Sequence, residues 1–306
     1  MITIQENIPL ASLTTFKIGG NAKYFVEASN VADIRDAIKW ATEKSIRFVV
    51  LAGGSNVLIP DEGIDALVIR IASDHHSFEQ TELAADAGGN LLEIIREASS
   101  MGLGGWEKLA GIPGTIGGAI RGNAGAFGSE IKDFIVKVGA LHSQTGETRE
   151  FSNADCNFSY RHSLFKDHPE WIIISAHLSL LEATPLDIHN SIEETIAERE
   201  KRHLQNVQAA GSFFMNPVAP QNIVDMFEQE KGVKSREGRV PAGWLIEKVG
   251  MKGATVGGAI ASIQHPNYLV NTGNATAKDV RELAEKIKQA VKAEFDVSLQ
   301  EEAALL

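Results

Sequence analysis

Cysteine is nearly missing from this chain: Cys156 is the single one in 306 residues. One thiol excludes an internal disulfide and leaves a cysteine-based metal site without its ligands. Cys156 is therefore expected to be a packed residue. The nine histidines are scattered without metal-ligand spacing, so no metal is expected either. No apolar run approaches the roughly 18–20 residues of a membrane span. The opening MITIQENIPL lacks the basic-then-apolar pattern of a signal peptide. A soluble, cytoplasmic protein without a membrane partner is the expectation. Positive charge is also short, 29 Lys and Arg against 40 Asp and Glu for a net −11. That argues against a nucleic-acid partner, which needs a basic footprint. With no coiled coil and no long exposed apolar stripe, a monomer is expected.

Local positive charge remains in two places, REKRH at 199–203 and KGVKSREGR at 231–239. Either is an ordinary solvated face or the neighbour of an anionic ligand. Along the first part of the chain, strand and helix alternate. VADIRDAIKWATEK (31–44) puts Val31, Ile34, Ile38 and Ala41 on one helical face, with Ser29 or Asn30 as cap. IRFVVLAGG (46–54) and IDALVIRIA (64–72) read as strands, and NLLEIIREASSMG (90–102) as a second amphipathic helix. The middle turns β-rich: two strands within 133–151 meet at Thr145-Gly146, and 171–183 is another. A long helix follows over 186–204, then 205–275 reads as a small separate domain. Over 276–295, Val280, Leu283, Ala284, Ile287 and Val291 recur at helical spacing, with Thr276 and Asp279 set as a capping box. DVSLQEE (296–302) reads as a short terminal strand.

What is abundant is glycine in GIPGTIGGAIRGNAGAFG (111–128), which has it at positions 111, 114, 117, 118, 122, 125 and 128. A flexible linker would be polar and serine-rich, but Ile112, Ile116, Ile120 and Phe127 anchor this segment. Two readings stay open: turns packed on a scaffold, or a cradle of backbone N–H groups for an anion, most often a phosphate. Neither G-x-x-x-x-G-K-[ST] nor a strand-to-helix G-x-G-x-x-G with its acidic partner is present. AGGSN (52–56) supplies a second glycine turn after a strand.

These segments carry a resemblance. TTFKIGG (14–20), AGGSNVLIPD (52–61), LAGIPGTIGGAIRGNAGAFG (109–128), FSYRHSLFK (158–166), AGSFFMNP (210–217) and AGWLIEKVGMKGATVGGA (242–259) occur in the order of the UDP-N-acetylenolpyruvoylglucosamine reductase family, which the chain resembles over nearly its whole length. The resemblance implies an α+β fold: the FAD-binding fold of the p-cresol methylhydroxylase type, with two α/β subdomains, plus a smaller α+β C-terminal substrate domain. The boundaries expected on that basis are 1–72, joined by the terminal strand 296–306, then 73–185, then 186–295. It further implies that FAD lies against Gly53, Gly54, Ser55, Asn56, Gly111, Pro113, Gly114, Thr115, Gly117, Gly118, Asn123 and Gly125. The flavin is expected to be non-covalent, since 111–128 has no His or Cys to tether it. NADPH is the implied electron donor and UDP-N-acetylglucosamine-enolpyruvate the implied substrate, in peptidoglycan precursor synthesis.

Hydride addition to an enolpyruvyl ether pushes negative charge onto the carbon beside the carboxylate. That charge needs preorganised donors, and the carbon then needs a proton from a positioned acid. By resemblance, Arg161 in SYRHS is the cation, whose planar fork suits a carboxylate. Ser212 in AGSFFMNP is the proton donor. Glu302 in LQEEA is the acid, with a pKa expected to be raised by burial. Glu301 competes for that register, and strand alternation would send the two carboxyls to opposite faces. Tyr160 and Asn216 are expected on the substrate. Met215 stands where the family commonly has a basic residue, so Lys201 or Arg202 is expected to supply that charge. The length matches the family's shorter subtype, whose substrate cover is built differently. Two other readings are a flavin oxidase of the same fold acting on an alcohol or sugar, and a non-catalytic nucleotide-sugar binding protein. Neither uses SYRHS, AGSFFMNP and Glu302 together.

Overall fold

The computed structural model describes residues 2–201 and 207–306, which divide into two compact units. The first gathers 1–8, 22–54 and 64–201; the second gathers 9–21, 55–63 and 202–306. The first unit begins as the alternating pattern predicts. Strands Asn21–Ala28, Ile64–Ile71 and Phe48–Leu51 run parallel. The helix Val31–Glu43 starts where the Asn30 side chain accepts the Asp33 N–H at 3.0 Å. Its stripe of Ile34, Ala37, Ile38 and Ala41 is buried in the same core as Leu67 and Ile69 of the central strand.

A second sheet in this unit is antiparallel throughout, in the order Thr148–Ser152, Ile135–His142, Trp171–Ser179, Glu82–Asp86, His76–Glu79. The helix Leu91–Ser100 is capped by Asn90, whose side chain accepts the Leu92 and Glu93 N–H groups. Both sheets share one apolar core, so the expected boundary at 72/73 does not separate two cores. Cys156 lies fully buried in it, and burial pushes its thiol up to about 12. The helix Pro185–Lys201 also belongs here, because Ile188 and Ile192 insert into this core. The helix expected as a linker ahead of the last domain thus packs with the first unit over Pro185–Lys201.

In the second unit the helix Ala277–Phe295 forms as predicted, with the Thr276–Asp279 capping box intact. Its stripe of Val280, Leu283, Ala284, Ile287, Val291 and Phe295 is buried together with Phe213, Phe214, Trp244 and Leu269. Asp296 at φ +55° ends the helix in the left-handed region. The terminal strand is corrected in position: among the described residues it covers Ala304–Leu305, parallel to Val57–Leu58, while Glu301 before it makes an isolated bridge. The terminal strand thus joins a segment from within 1–72, as expected, and that segment belongs to the second unit. Among the described residues, no helix is long and apolar enough to cross a membrane and no cluster of His, Cys, Asp or Glu could hold a metal ion.

Candidate functional site

In the first unit the two glycine turns meet. A Cβ built on Gly53 would stand 3.0 Å from Gly114 Cα and 3.4 Å from Thr115 Cγ2. Gly114 itself has φ +129°, a conformation side chains rarely adopt. Thr115 caps the helix Ile116–Arg121 by accepting the Gly118 N–H. The amides of Gly53, Gly54, Gly114 and Thr115 have no acceptor among the described residues. Pro113 and Gly118 are exposed and Gly111 is buried. A cradle of bare backbone carrying unspent donors fits the pyrophosphate of a dinucleotide.

At three of the expected cofactor positions the protein's own packing is visible. Gly117 is bare because Ala87 fills its space, with Ala87 Cβ 2.7 Å from a built Cβ. Gly125 is bare because Ser129 O lies 2.7 Å from that point across the hairpin. Asn123 is 0% exposed and held by the protein: its Nδ2 donates to Ser159 O at 2.8 Å and Glu130 Oε2 at 3.1 Å, and its Oδ1 accepts the Lys132 N–H. Buried internal bonds leave that side chain no surface to offer a ligand.

What Asn123 organises is the turn that carries Arg161. Ser159 and His162 exchange backbone hydrogen bonds at 3.1 Å in both directions, leaving Tyr160 and Arg161 as the corner. Arg161 has φ +58°, an uncommon setting for a side chain of that size. Its Nη2 donates to Gly125 O at 2.8 Å and its Nη1 to Asn123 O at 3.5 Å. The guanidinium carbon stands 5.2 Å from the Tyr160 ring centroid. Lys166 Nζ holds the Arg161 carbonyl at 2.7 Å. SYRHS and the glycine segment thus form one interlocked structure.

The second unit brings the other two catalytic candidates onto neighbouring backbone. Glu302 N–H donates to Phe213 O at 2.8 Å, Met215 N–H to Gln300 O at 2.9 Å, and Phe214 bridges Glu301. Ser212 directly precedes this pairing. On the opposite edge Asn267, 2% exposed, grips the same two residues. Its main-chain oxygen accepts from Phe213, its Oδ1 accepts from Phe214, and its Nδ2 donates to Phe214 O. Sequence reasoning passed over Asn267; an Asn in HPNYLVN, between a proline and an apolar run, was the available signal.

Glu302 and Glu301 are separated by the alternation of their segment. Val297, Leu299 and Ala303 are buried with the long helix, whereas Ser298 and Gln300 are exposed. Glu301 falls in the buried series and its Oε1 meets Lys288 Nζ of that helix at 2.6 Å. Glu302 falls in the other series. Its carbonyl accepts Asn56 Nδ2 at 3.1 Å, and Asn56 O accepts the Ala304 N–H at 3.0 Å. The Asn56 side-chain amide nitrogen, of a residue expected on the cofactor, is thus committed to the segment bearing Glu302.

Among the substrate candidates, Tyr160 is half-buried and Asn216 Oδ1 accepts the Ala242 N–H at 3.0 Å, at the start of the helix Ala242–Lys248. Lys201 is exposed at its helix end, and Arg202 lies outside the described residues. The 231–239 charges are neutralised nearby: Lys231, Lys234 and Arg239 face Glu230, Glu228 and Glu237. Arg239 is half-buried and also donates from Nη1 to Asn216 O at 3.0 Å.

Comparison with known proteins agrees with the division into parts. Residues 22–152 match the FAD binding domain family. Residues 202–306 match the C-terminal domain of UDP-N-acetylenolpyruvoylglucosamine reductase. The chain is 35% identical to UDP-N-acetylenolpyruvoylglucosamine reductase of Solibacter usitatus over 98% of its length and 96% of that protein. It is 36% identical to the reductase of Carboxydothermus hydrogenoformans, over 97% of this chain and 91% of that one. The crystal structure of the reductase from Thermus caldophilus superposes with a TM-score of 0.79 at 29% identity, covering 100% of this chain and 99% of that one. The expected α+β architecture with an FAD-binding part is the one found. On this sequence and structural kinship, the chain belongs to the UDP-N-acetylenolpyruvoylglucosamine reductase family.

Proposed function

We propose that the chain reduces the enolpyruvyl ether of UDP-N-acetylglucosamine-enolpyruvate to UDP-N-acetylmuramate, with NADPH as electron donor, in cytoplasmic peptidoglycan precursor synthesis. Bound FAD supplies hydride transfer between the nicotinamide and the terminal enolpyruvyl carbon. The supporting observation is the pairing of Phe213–Met215 with Gln300–Glu302, which sets the expected hydroxyl donor and the expected acid on adjoining backbone of one unit.

Each residue has a task that its setting suits. Gly53, Gly54, Gly111, Pro113, Gly114, Thr115 and Gly118, with Ser55 and Asn56, hold the flavin dinucleotide through backbone contacts. Arg161 binds the substrate carboxylate and stabilises the charge that gathers there as the adjacent carbon becomes electron-rich. Its bonds to Gly125 O and Asn123 O fix the direction of the fork. Ser212 gives its hydroxyl proton to that carbon. A serine is a weak acid, and only a carbanion-like acceptor is basic enough to take its proton. Glu302 hydrogen-bonds the developing enolate. Tyr160 lines the carboxylate pocket, and Asn216 and Lys201 face the nucleotide-sugar.

The discriminating experiment is an NADPH assay on the purified, yellow protein. NADPH oxidation is expected only when the UDP-linked enolpyruvyl sugar is added. Oxygen consumption driven by an alcohol or sugar would favour the oxidase reading instead, and sugar-nucleotide binding without NADPH turnover the non-catalytic one.

Two glycine substitutions separate cradle from scaffold. Gly117→Ala must displace Ala87 and is expected to lower stability by about 1–3 kcal/mol, measured by denaturant titration. Gly53→Ala meets the Gly114 backbone at 3.0–3.4 Å and the Thr115 side-chain methyl at 3.4 Å. It is expected to keep most stability yet lose flavin on gel filtration, read as the flavin-to-protein absorbance ratio. Retention of a full complement of flavin by Gly53→Ala would remove the 53–114 approach from the cofactor site.

A further inference from the structure

We infer that Thr15 is a positioning residue for the substrate half-reaction: its hydroxyl holds the arm of backbone that delivers Ser212. The inference rests on the role of Ser212 proposed above. TTFKIGG (14–20) has no task of its own in that reaction, yet it belongs to the same unit as Ser212. Thr14 and Phe16 are 2% and 0% exposed, and Thr15 between them is half-buried. Thr14 serves its own loop, its Oγ1 donating to Ala11 O and accepting the Lys17 N–H, both at 3.1 Å. Phe16 O accepts Asn271 Nδ2 at 3.1 Å. Thr15 is therefore carried on fixed backbone, and its bond is the long-range one. Its Oγ1 donates to Ala209 O at 2.7 Å, 194 positions away, with Ser55 O a second acceptor at 3.3 Å.

Between Ala209 and Ser212 the arm makes a turn with little to lean on. Gly211 sits at φ +73°, and a Cβ built there would meet nothing within 4 Å. The place of Ser212 is therefore set by the anchors on either side of this turn. Downstream, Asn267 and Glu302 hold Phe213 and Phe214. Upstream, Asn271 N–H donates to Gln208 O at 2.8 Å, and Thr15 grips Ala209 one residue nearer the turn. The Gln208 bond fixes one point, about which the next peptide is free to swing. The Thr15 bond fixes a second point, and two points set a direction where one does not. Ala209 is 3% exposed, and among the described residues no other donor reaches its carbonyl. A buried carbonyl left without a donor is unfavourable, so loss of the hydroxyl gives the arm a reason to rotate. A proton donor works only within hydrogen-bond reach of its acceptor, and rotation of the arm removes Ser212 from that reach.

The test uses the FAD-saturated enzyme and follows the half-reactions separately by flavin absorbance. Thr15→Val removes the hydroxyl and keeps the branched shape. It is expected to slow reoxidation by the UDP-linked enolpyruvyl sugar by about 10–100-fold, the scale of a displacement near 1 Å at a reacting group. Flavin reduction by NADPH is expected to stay within about twofold, because that step takes no proton from the arm. Thr15→Ser keeps the donor and is expected to restore reoxidation. In a Ser212→Ala background, Thr15→Val is expected to add less than about twofold, since residues acting through one group are not additive. Hydrogen exchange is expected to quicken at the Asn271 amide, the partner of Gln208 O, in Thr15→Val but not in Thr15→Ser. Wild-type reoxidation in Thr15→Val overturns the inference, as does equal slowing of both half-reactions or failure of Ser to rescue. So does full additivity with Ser212→Ala, or an unchanged Asn271 amide. Ser212→Ala alone separates the two levels. If it reoxidises at the wild-type rate, the role of Ser212 is wrong and the inference falls with it. If it is slow while Thr15→Val is not, the role of Ser212 stands and only the part given to Thr15 fails.

Discussion

Ser212→Ala is expected to leave flavin reduction by NADPH nearly intact and to slow reoxidation by substrate by about 10²–10⁴-fold, the range of a positioned general acid. The asymmetry follows from when the hydroxyl is needed. Hydride arrival from the nicotinamide creates no carbon base in the substrate, so no proton is called for. Hydride departure to the enolpyruvyl carbon does. The backbone around Ser212 is clamped from one side by Asn267 and from the other by the Gln300–Glu302 segment. Loss of one oxygen should therefore leave the surroundings in place, and a rate change can be assigned to the proton. Stopped-flow absorbance of the two half-reactions decides it. Equal slowing of both would make Ser212 a packing or binding residue.

Arg161 carries the second large effect, and its backbone permits an unusual separation of chemistry from stability. Arg161→Lys keeps the charge but loses the fork that reaches Gly125 O and Asn123 O. A fall of about 10²–10³ in the reoxidation rate is expected, comparable to removing a preorganised donor. Arg161→Gly and Arg161→Ala lose the guanidinium alike, so both should be equally impaired in that step. They should differ in stability: at φ +58° the Gly variant is expected to exceed the Ala variant by about 1 kcal/mol, since left-handed backbone penalises a Cβ. Urea midpoints of the pair measure this. Identical midpoints would mean that the corner at 159–162 is not left-handed in solution, and full activity in Arg161→Lys would remove the fork from catalysis.

Strain of this kind is a common mark of functional corners, yet nothing in SYRHS announced it. A left-handed turn is legible when glycine or asparagine occupies it, and here arginine does. Local features read well for the opposite reason. The Thr276–Asp279 box, the Asn30 cap and the stripe from Val280 to Val291 are set by neighbours within one or two helical turns, so the order of residues alone specifies them. The Asn267 clamp joins residues 53 apart, and the Asn56–Glu302 bond residues 246 apart. No periodicity encodes such distances. Glycine, too, was legible only as a need for bare backbone, not as to what fills the space. Gly117 faces Ala87 and Gly125 faces its own hairpin, whereas Gly53 faces another glycine. The grouping into units was not legible because the second unit takes 9–21 and 55–63 from the early chain; composition does not change at those points.

That borrowing has a bearing on biosynthesis. Val57–Leu58 wait for Ala304–Leu305, and Asn56 waits for Glu302, so part of the AGGSN turn lacks its final partners until residues 302–305 have been synthesised. A ribosome-bound nascent chain can assemble the parallel sheet of Asn21–Ala28, Phe48–Leu51 and Ile64–Ile71 early, with its dinucleotide loop still half-tethered. The AGGSN turn is then completed only when residues more than 240 positions downstream have folded onto it.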